Sequence, residues 1–220
     1  MKSFVVIGIG RFGSSLVQTL FNMGYDVMAI DKSHDAIQAI SEYTTEAIEC
    51  DVRAENSLRA VGLANFDAGI VSMGSDLESS ILATISLKEQ GVPKVIAKAQ
   101  NLLHGTVLKK VGADEIVYPE REMGERVAHR LINSHILEYI SLSTEYGMLE
   151  IQVLSTWIGQ TLGEVKIRNK YNVNVVAIQR DEETIINPQA DMRMEQGDHL
   201  VVIGSTESLE QLESLISDDV

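Results

Sequence analysis

The sequence predicts an α/β protein: a doubly wound parallel sheet followed by a small α+β unit. Three observations carry that expectation. Short runs rich in Val, Ile and Ala alternate with amphipathic stretches down to about residue 134, at intervals of roughly 20–25 residues, the pattern of βαβ units. Several of these runs, such as Phe4–Ile9, are almost continuously apolar, as expected where helices cover both faces of a sheet. From Ile136 onward closely spaced strands take over, with helices only between and after them.

Taken in order, the expected strands of the first part are Phe4–Ile9, Asp26–Ile30, Glu46–Cys50, Ala68–Met73, Val95–Ala99 and Glu115–Tyr118. Between them lie helical stretches at Phe12–Met23, Asp35–Tyr43, Leu77–Gln90 and Leu102–Val111. In the first helix Phe12, Leu16 and Leu20 recur every four residues and form an apolar stripe. Asn22 and Gly24 end it, with Gly24 free to adopt a left-handed cap. A bridging helix spans 119–133: Pro119 suits its first turn, and Met123, Val127 and Leu131 form a stripe that packs either on its own sheet or between subunits. The first domain is therefore read as 1–134 and the second as 135–220. In the second, Ile136–Ser143 and Met148–Leu154 read as strands joined by a turn at Glu145, Tyr146 and Gly147. A helix over Thr161–Tyr171, strands at Val173–Gln179, Thr184–Ile186 and His199–Ile203, and a helix at Ser208–Ile216 complete it.

Composition narrows the function. With 220 residues and 45% hydrophobic content, each part has enough chain for a core. Eighteen Lys and Arg against 32 Asp and Glu give a net charge of −14, which repels phosphate backbones and anionic membrane surfaces. Neither nucleic acid nor direct membrane insertion is expected. The longest apolar runs are too short to span a bilayer, and no signal peptide opens the chain. A single cysteine, Cys50, excludes an internal disulfide framework and suits a reducing cytoplasm.

One motif carries chemistry. Phe4–Ile7 runs directly into Gly8-Ile-Gly10-Arg11-Phe12-Gly13, a G-x-G-x-x-G turn that opens a helix. Gly8 permits the tight turn, Gly10 lets backbone approach a pyrophosphate, and Gly13 allows close helix–sheet packing. Asp31 lies 23 residues beyond Gly8, where a carboxylate accepts from ribose hydroxyls, its bland alternative being a helix cap. These features make the sheet Rossmann-like and place further contacts at the carboxyl ends of the strands. There Asp51 either meets an adenine amino group or caps a helix. Met73, Gly74 and Ser75 face the phosphate side, and Lys98 and Gln100 face the same crevice unless Lys98 is a solvated edge charge. Arg11 stands inside the turn, where its guanidinium reaches a terminal phosphate or remains solvated.

Absences bear on enzymes. No Tyr-x-x-x-Lys pair, HExxH, CxxC or G-x-S-x-G elbow occurs, and the five histidines show no metal-ligand spacing. An NAD(H)-dependent oxidoreductase is the alternative reading, and a Rossmann-type redox repressor a third that lacks a basic helix-turn-helix.

Gly8–Gly13, Ala29-Ile-Asp31, Cys50-Asp51, Ala97-Lys-Ala-Gln100 and Gly112–Glu120 resemble the RCK (TrkA-N, or KTN) domain. Ile167-Arg168, Tyr171, Val175–Arg180 and Gln196–Gly204 resemble its TrkA-C companion. The resemblance covers nearly the whole chain and is strongest to the Ktr-type cytosolic regulatory subunits of bacterial potassium uptake systems. It implies a binding module rather than an enzyme. Such N-lobes bind ATP or ADP, in some members NAD(H), and dimers assemble into an octameric ring beneath a potassium-translocating membrane subunit. Gly8, Gly10, Arg11, Gly13, Asp31, Lys32 and Asp51 would hold the nucleotide. Glu120 would match an acidic position where a divalent cation bridges subunits. Cyclic di-AMP, which inhibits transport in Gram-positive members, would bind the C-lobe dimer at Ile167, Arg168, Asn174 and Pro188. For Arg168 a surface salt bridge is the competing reading.

Overall fold

A computed structural model describes residues 2–54, 56–74, 76–132 and 136–217, with only the backbone described at His129, Arg130, Ile132, Ile136 and Ser217. Ser75, His135 and the expected domain border at 134 and 135 lie outside the described residues. Contacts divide the chain into two compact units, Met1–Arg121 and Glu122–Val220.

The first unit holds six parallel strands: β1 (Ser3–Ile7), β2 (Asp26–Asp31), β3 (Glu46–Glu49), β4 (Ala68–Val71), β5 (Lys94–Lys98) and β6 (Glu115–Val117). Their order is β3-β2-β1-β4-β5-β6, so the direction of winding reverses between β1 and β4. Register runs Phe4 beside Val27 on one flank and beside Ala68 on the other. Alternation along the strands fills two cores. Val5, Ile7, Met28 and Ile30 point to one face, and Val6, Val27, Ala29 and Ile70 to the other. This double burial is the reason the strands read as unbroken apolar runs.

The helices are α1 (Arg11–Asn22), α2 (His34–Ile40), α3 (Ser57–Val61), α4 (Leu77–Glu89) and α5 (Leu102–Lys110), followed by α6 (Pro119–Ile132), which runs across the division between units. In α1 the innermost line is Gly13 and Val17, flanked by half-buried Leu16 and Leu20; Phe12 belongs to the crevice described below rather than to the core stripe. Gly24 takes the expected left-handed φ of 84°. α3, which the sequence pattern missed, is five residues long and bounded by Asn56 and Gly62, both left-handed. On α6, Met123, Val127 and Leu131 are exposed, which sets aside packing on their own sheet.

The second unit is an antiparallel sheet of β7 (Ile136–Ser141), β8 (Tyr146–Gln152), β9 (Asn174–Arg180), β10 (Glu183–Ile186) and β11 (His199–Ser205), in the order β10-β9-β11-β8-β7. Leu149, Ile151, Leu200 and Val202 face a core closed by Leu209, Leu212 and Ile216 of α9 (Thr206–Ser217). Two expectations are corrected. The hairpin turn precedes Tyr146: Ser143 Oγ accepts from the backbone of Glu145 and Tyr146, so Tyr146 and Gly147 already belong to β8. The single helix over 161–171 is two, α7 (Leu162–Val165) and α8 (Ile167–Tyr171), broken where Lys166 turns left-handed at φ 57°.

Candidate functional site

A crevice of about 640 Å³ opens at the carboxyl ends of β1–β5, at the reversal in strand order, where open α/β sheets bind ligands. Its floor is the glycine turn. Gly8 has φ 96°, and a Cβ there would meet Met73 Cγ at 2.5 Å. A Cβ on Gly13 would clash with the Gly8 carbonyl oxygen, the atom that also accepts the Ser72 hydroxyl. Gly10 instead faces open space: a Cβ on it would meet nothing within 4 Å, and it begins α1 without a side-chain cap. The first turn of α1, Arg11 and Phe12, thus lines the crevice without a side-chain cap on its N–H groups, an arrangement suited to phosphate.

Asp31 ends β2 beside this turn. Its Oδ2 accepts the Ile9 N–H at 2.6 Å and its Oδ1 the Ser33 N–H at 2.8 Å. The carboxylate therefore ties the glycine loop to the start of α2, while each oxygen keeps a lone pair for a hydroxyl donor. The helix cap itself is Ser33, which accepts from Ala36. Lys32 lines the rim next to it. Asp51, just beyond β3, does not cap a helix: α3 is preceded by Asn56, and the Asp51 carboxylate is gripped by Arg53. Hydrogen bonds from the Arg53 side chain and backbone hold its carboxyl down at about 2.

The far wall is cationic. Lys98 is only 12% exposed, its Nζ 5.7 Å from the centre of the Phe12 ring and 2.5 Å from Glu120 Oε1, so it is not a solvated edge charge. That hydrogen bond from Lys98 lowers the Glu120 carboxyl, with the charge of Arg11 adding to it. Arg11 is exposed at the head of α1, without an ion pair among the described residues. A Cβ on Gly74 would press on the Lys98 and Gln100 side chains, and Met73 lines the crevice beside it. Among the described residues no group of three or more His, Cys, Asp or Glu could hold a metal ion; Glu120 contributes one carboxylate.

The sequence matches the TrkA-N domain over residues 4–119 and the TrkA-C domain over 148–217. It is 42% identical over 215 residues to Ktr system potassium uptake protein C of Bacillus subtilis, covering 98% of this chain and 97% of the relative. Ktr system potassium uptake protein A of the same organism is 34% identical over 213 residues, with coverage of 97% and 96%. This chain belongs to the TrkA-N/TrkA-C family. Among solved structures, the GsuK channel superposes with a TM-score of 0.68 at 17% identity, over 98% of this chain and 39% of that one, a likeness that shows the fold alone.

In the TrkA-C unit the four resemblance-derived residues have different surroundings. Arg168 is exposed on α8, with no partner for its guanidinium among the described residues, and Asn174 is exposed at the start of β9. Pro188 is half-buried after β10, and the Ile167 side chain is 2% exposed within the core. Within one TrkA-C unit, Ile167 can offer a ligand only backbone.

Sequence reasoning missed Ser72, Arg53, Asp76 and Ser79. A serine ending an apolar strand carries no pattern of its own, yet Ser72 locks the Gly8 carbonyl. Asp76 was legible in principle: Asp-x-x-Ser before an apolar run is a capping signal, and Asp76 accepts from both Ser79 N–H and Oγ.

Proposed function

We propose that this protein is the cytoplasmic, nucleotide-binding regulatory subunit of a bacterial potassium uptake system, and that ATP and ADP compete for the crevice. The observation that carries the reading is a glycine-rich turn at the head of a helix, with Arg11 and Lys98 lining the same crevice, in a chain similar over 98% of its length to Ktr system potassium uptake protein C. The ribose would lie against Asp31 and Lys32, the base near Asp51, and the phosphates along Gly8, Gly10 and the head of α1. A terminal phosphate would compete with Glu120 for Lys98. A divalent cation at a subunit interface would take Glu120 together with phosphate oxygens, since a phosphate-bound Mg²⁺ asks only one or two carboxylates of a protein. NAD(H) would satisfy the turn and Asp31 but bring no terminal phosphate to Arg11. Among the described residues no helix is long and apolar enough to cross a membrane. Ion translocation would belong to a separate membrane subunit, beneath which dimers of this chain assemble into an octameric ring. Cyclic di-AMP would bind where two TrkA-C units bring Arg168, Asn174, Pro188 and the Ile167 backbone together.

Calorimetric titration with ATP, ADP, NADH and cyclic di-AMP tests the reading. ATP and ADP are expected to bind one site and cyclic di-AMP another. Asp31→Ala is expected to lose ATP while costing about 2–4 kcal/mol of stability, the worth of two backbone hydrogen bonds to a charged carboxylate, so melting is measured alongside. Unchanged ATP affinity in that variant would remove Asp31 from the site. Binding of NADH alone would overturn the ATP/ADP assignment.

A further inference from the structure

The pairing that fixes Asp51 lies at the base end of the crevice, and it is made by a residue, Arg53, that none of the nucleotide contacts above employs. Arg53 donates to Asp51 three times: its backbone N–H to Oδ1 at 3.0 Å, its Nε to the same oxygen at 3.1 Å, and its Nη2 to Oδ2 at 2.8 Å. An ionised carboxylate offers about four acceptor positions. Three are occupied, and the one that remains is on Oδ2.

That remainder decides which base fits. Asp51 lines the crevice just beyond β3, two strands away from the glycine turn that takes the phosphates. A purine placed there presents its edge to the carboxylate. Guanine carries adjacent ring and amino N–H donors that match both oxygens of an open carboxylate side by side. Adenine has an amino group and no ring N–H, and needs a single acceptor.

We propose that Arg53 is a specificity-determining positioning residue: by occupying both oxygens of Asp51 it leaves one acceptor, which suits the adenine amino group and shuts out the paired donors of guanine. The proposal rests on the nucleotide reading above. Arg53 does not itself line the crevice; its guanidinium grips Asp51 from outside the lining through Nε and Nη2, so its effect on a ligand would pass through that carboxylate. The two paired side chains are 44% and 39% exposed, so the ion pair itself contributes little to stability. Removing Arg53 therefore leaves a folded protein in which base choice can be read.

The experiment is calorimetric titration of the full chain with ATP and with GTP, in the wild type, Arg53→Ala and Arg53→Lys. The wild type is expected to prefer ATP by about tenfold or more, one well-placed hydrogen bond against a mismatched one. Arg53→Ala is expected to bind ATP more weakly and GTP more tightly, so that the preference falls to roughly threefold or less. Arg53→Lys, a point charge without the planar fork, is expected to fall between them. A preference unchanged in Arg53→Ala overturns the role of Arg53, as does an equal loss of both nucleotides with unchanged melting. A wild type that binds neither nucleotide overturns instead the reading of the crevice on which the proposal rests.

Discussion

Gly10 and Gly13 belong to one motif, yet their constraints come from different sources. A side chain on Gly13 meets the Gly8 carbonyl and the Ser72 hydroxyl of its own fold, whereas a Cβ on Gly10, a residue that lines the crevice, meets nothing within 4 Å. Gly13→Ala is therefore expected to destabilise the protein by about 3 kcal/mol, the cost of overpacking against backbone. Gly10→Ala is expected to leave melting almost unchanged and weaken nucleotide binding instead. Thermal melting and ATP titration of the two variants separate these effects, and a Gly10→Ala protein with normal affinity would show that no ligand approaches the backbone there. The glycine pattern made both positions legible in the sequence. Ser72 was not, because its hydroxyl matters only through a carbonyl 64 positions away in the chain.

At the scale of elements, periodicity placed nearly every strand and long helix within two residues, because burial on two sheet faces or one helix stripe is written locally. It failed where geometry depends on single left-handed residues: Asn56 before α3, and Lys166 between α7 and α8. It also could not show what joins β9 to β11. There Arg180 donates from Nε and Nη2 to both oxygens of Asp198, whose side chain is 1% exposed, and from Nη1 to Glu195. Desolvation pushes the Asp198 carboxyl up, but hydrogen bonds from Arg180 and from the Glu195 backbone outweigh it and hold the carboxyl below the usual aspartate range. A depressed carboxyl contributes stability that is full above the unfolded value and fades as pH falls from there toward the folded value. Arg180→Ala leaves the charge buried and unpaired, and is expected to cost roughly 3–5 kcal/mol at pH 7. In that variant the Asp198 carboxyl rises instead, so protonation relieves it, and the deficit relative to wild type is expected to shrink between neutral pH and about pH 4. Urea unfolding at both pH values checks the sign; a deficit that grows in acid would mean that Arg180 does not stabilise the ionised form.

For the whole molecule, the proposed function asks how a ligand in the crevice would shift a conformational equilibrium. Net charge is −14, and the crevice itself sets Arg11, Lys32 and Lys98 beside Asp31, Asp51, Asp76 and Glu120, so an anion there would depend on local contacts with individual cations and the head of α1 rather than on the overall field. A ligand shifts a conformational equilibrium only by its difference in affinity for the two states, and two ligands act differently only through what one has and the other lacks. ATP and ADP differ by one terminal phosphate. Lys98 already has an internal counter-charge in Glu120, at the first turn of the helix that runs out of the first unit, whereas Arg11 has no ion pair among the described residues. Lys32 also has no ion pair among the described residues but follows Asp31 at the end of β2 rather than standing within the glycine turn, so Arg11 is the cation placed to gain most from an additional phosphate. Arg11→Ala is expected to weaken ATP by roughly 10- to 100-fold, the worth of a charge-assisted hydrogen bond, and ADP by about threefold or less. Titrating both nucleotides into the wild type and the variant measures the difference directly. An equal loss for the two would place the discriminating contact elsewhere and leave Lys98, released from Glu120, as the group through which a terminal phosphate reaches α6.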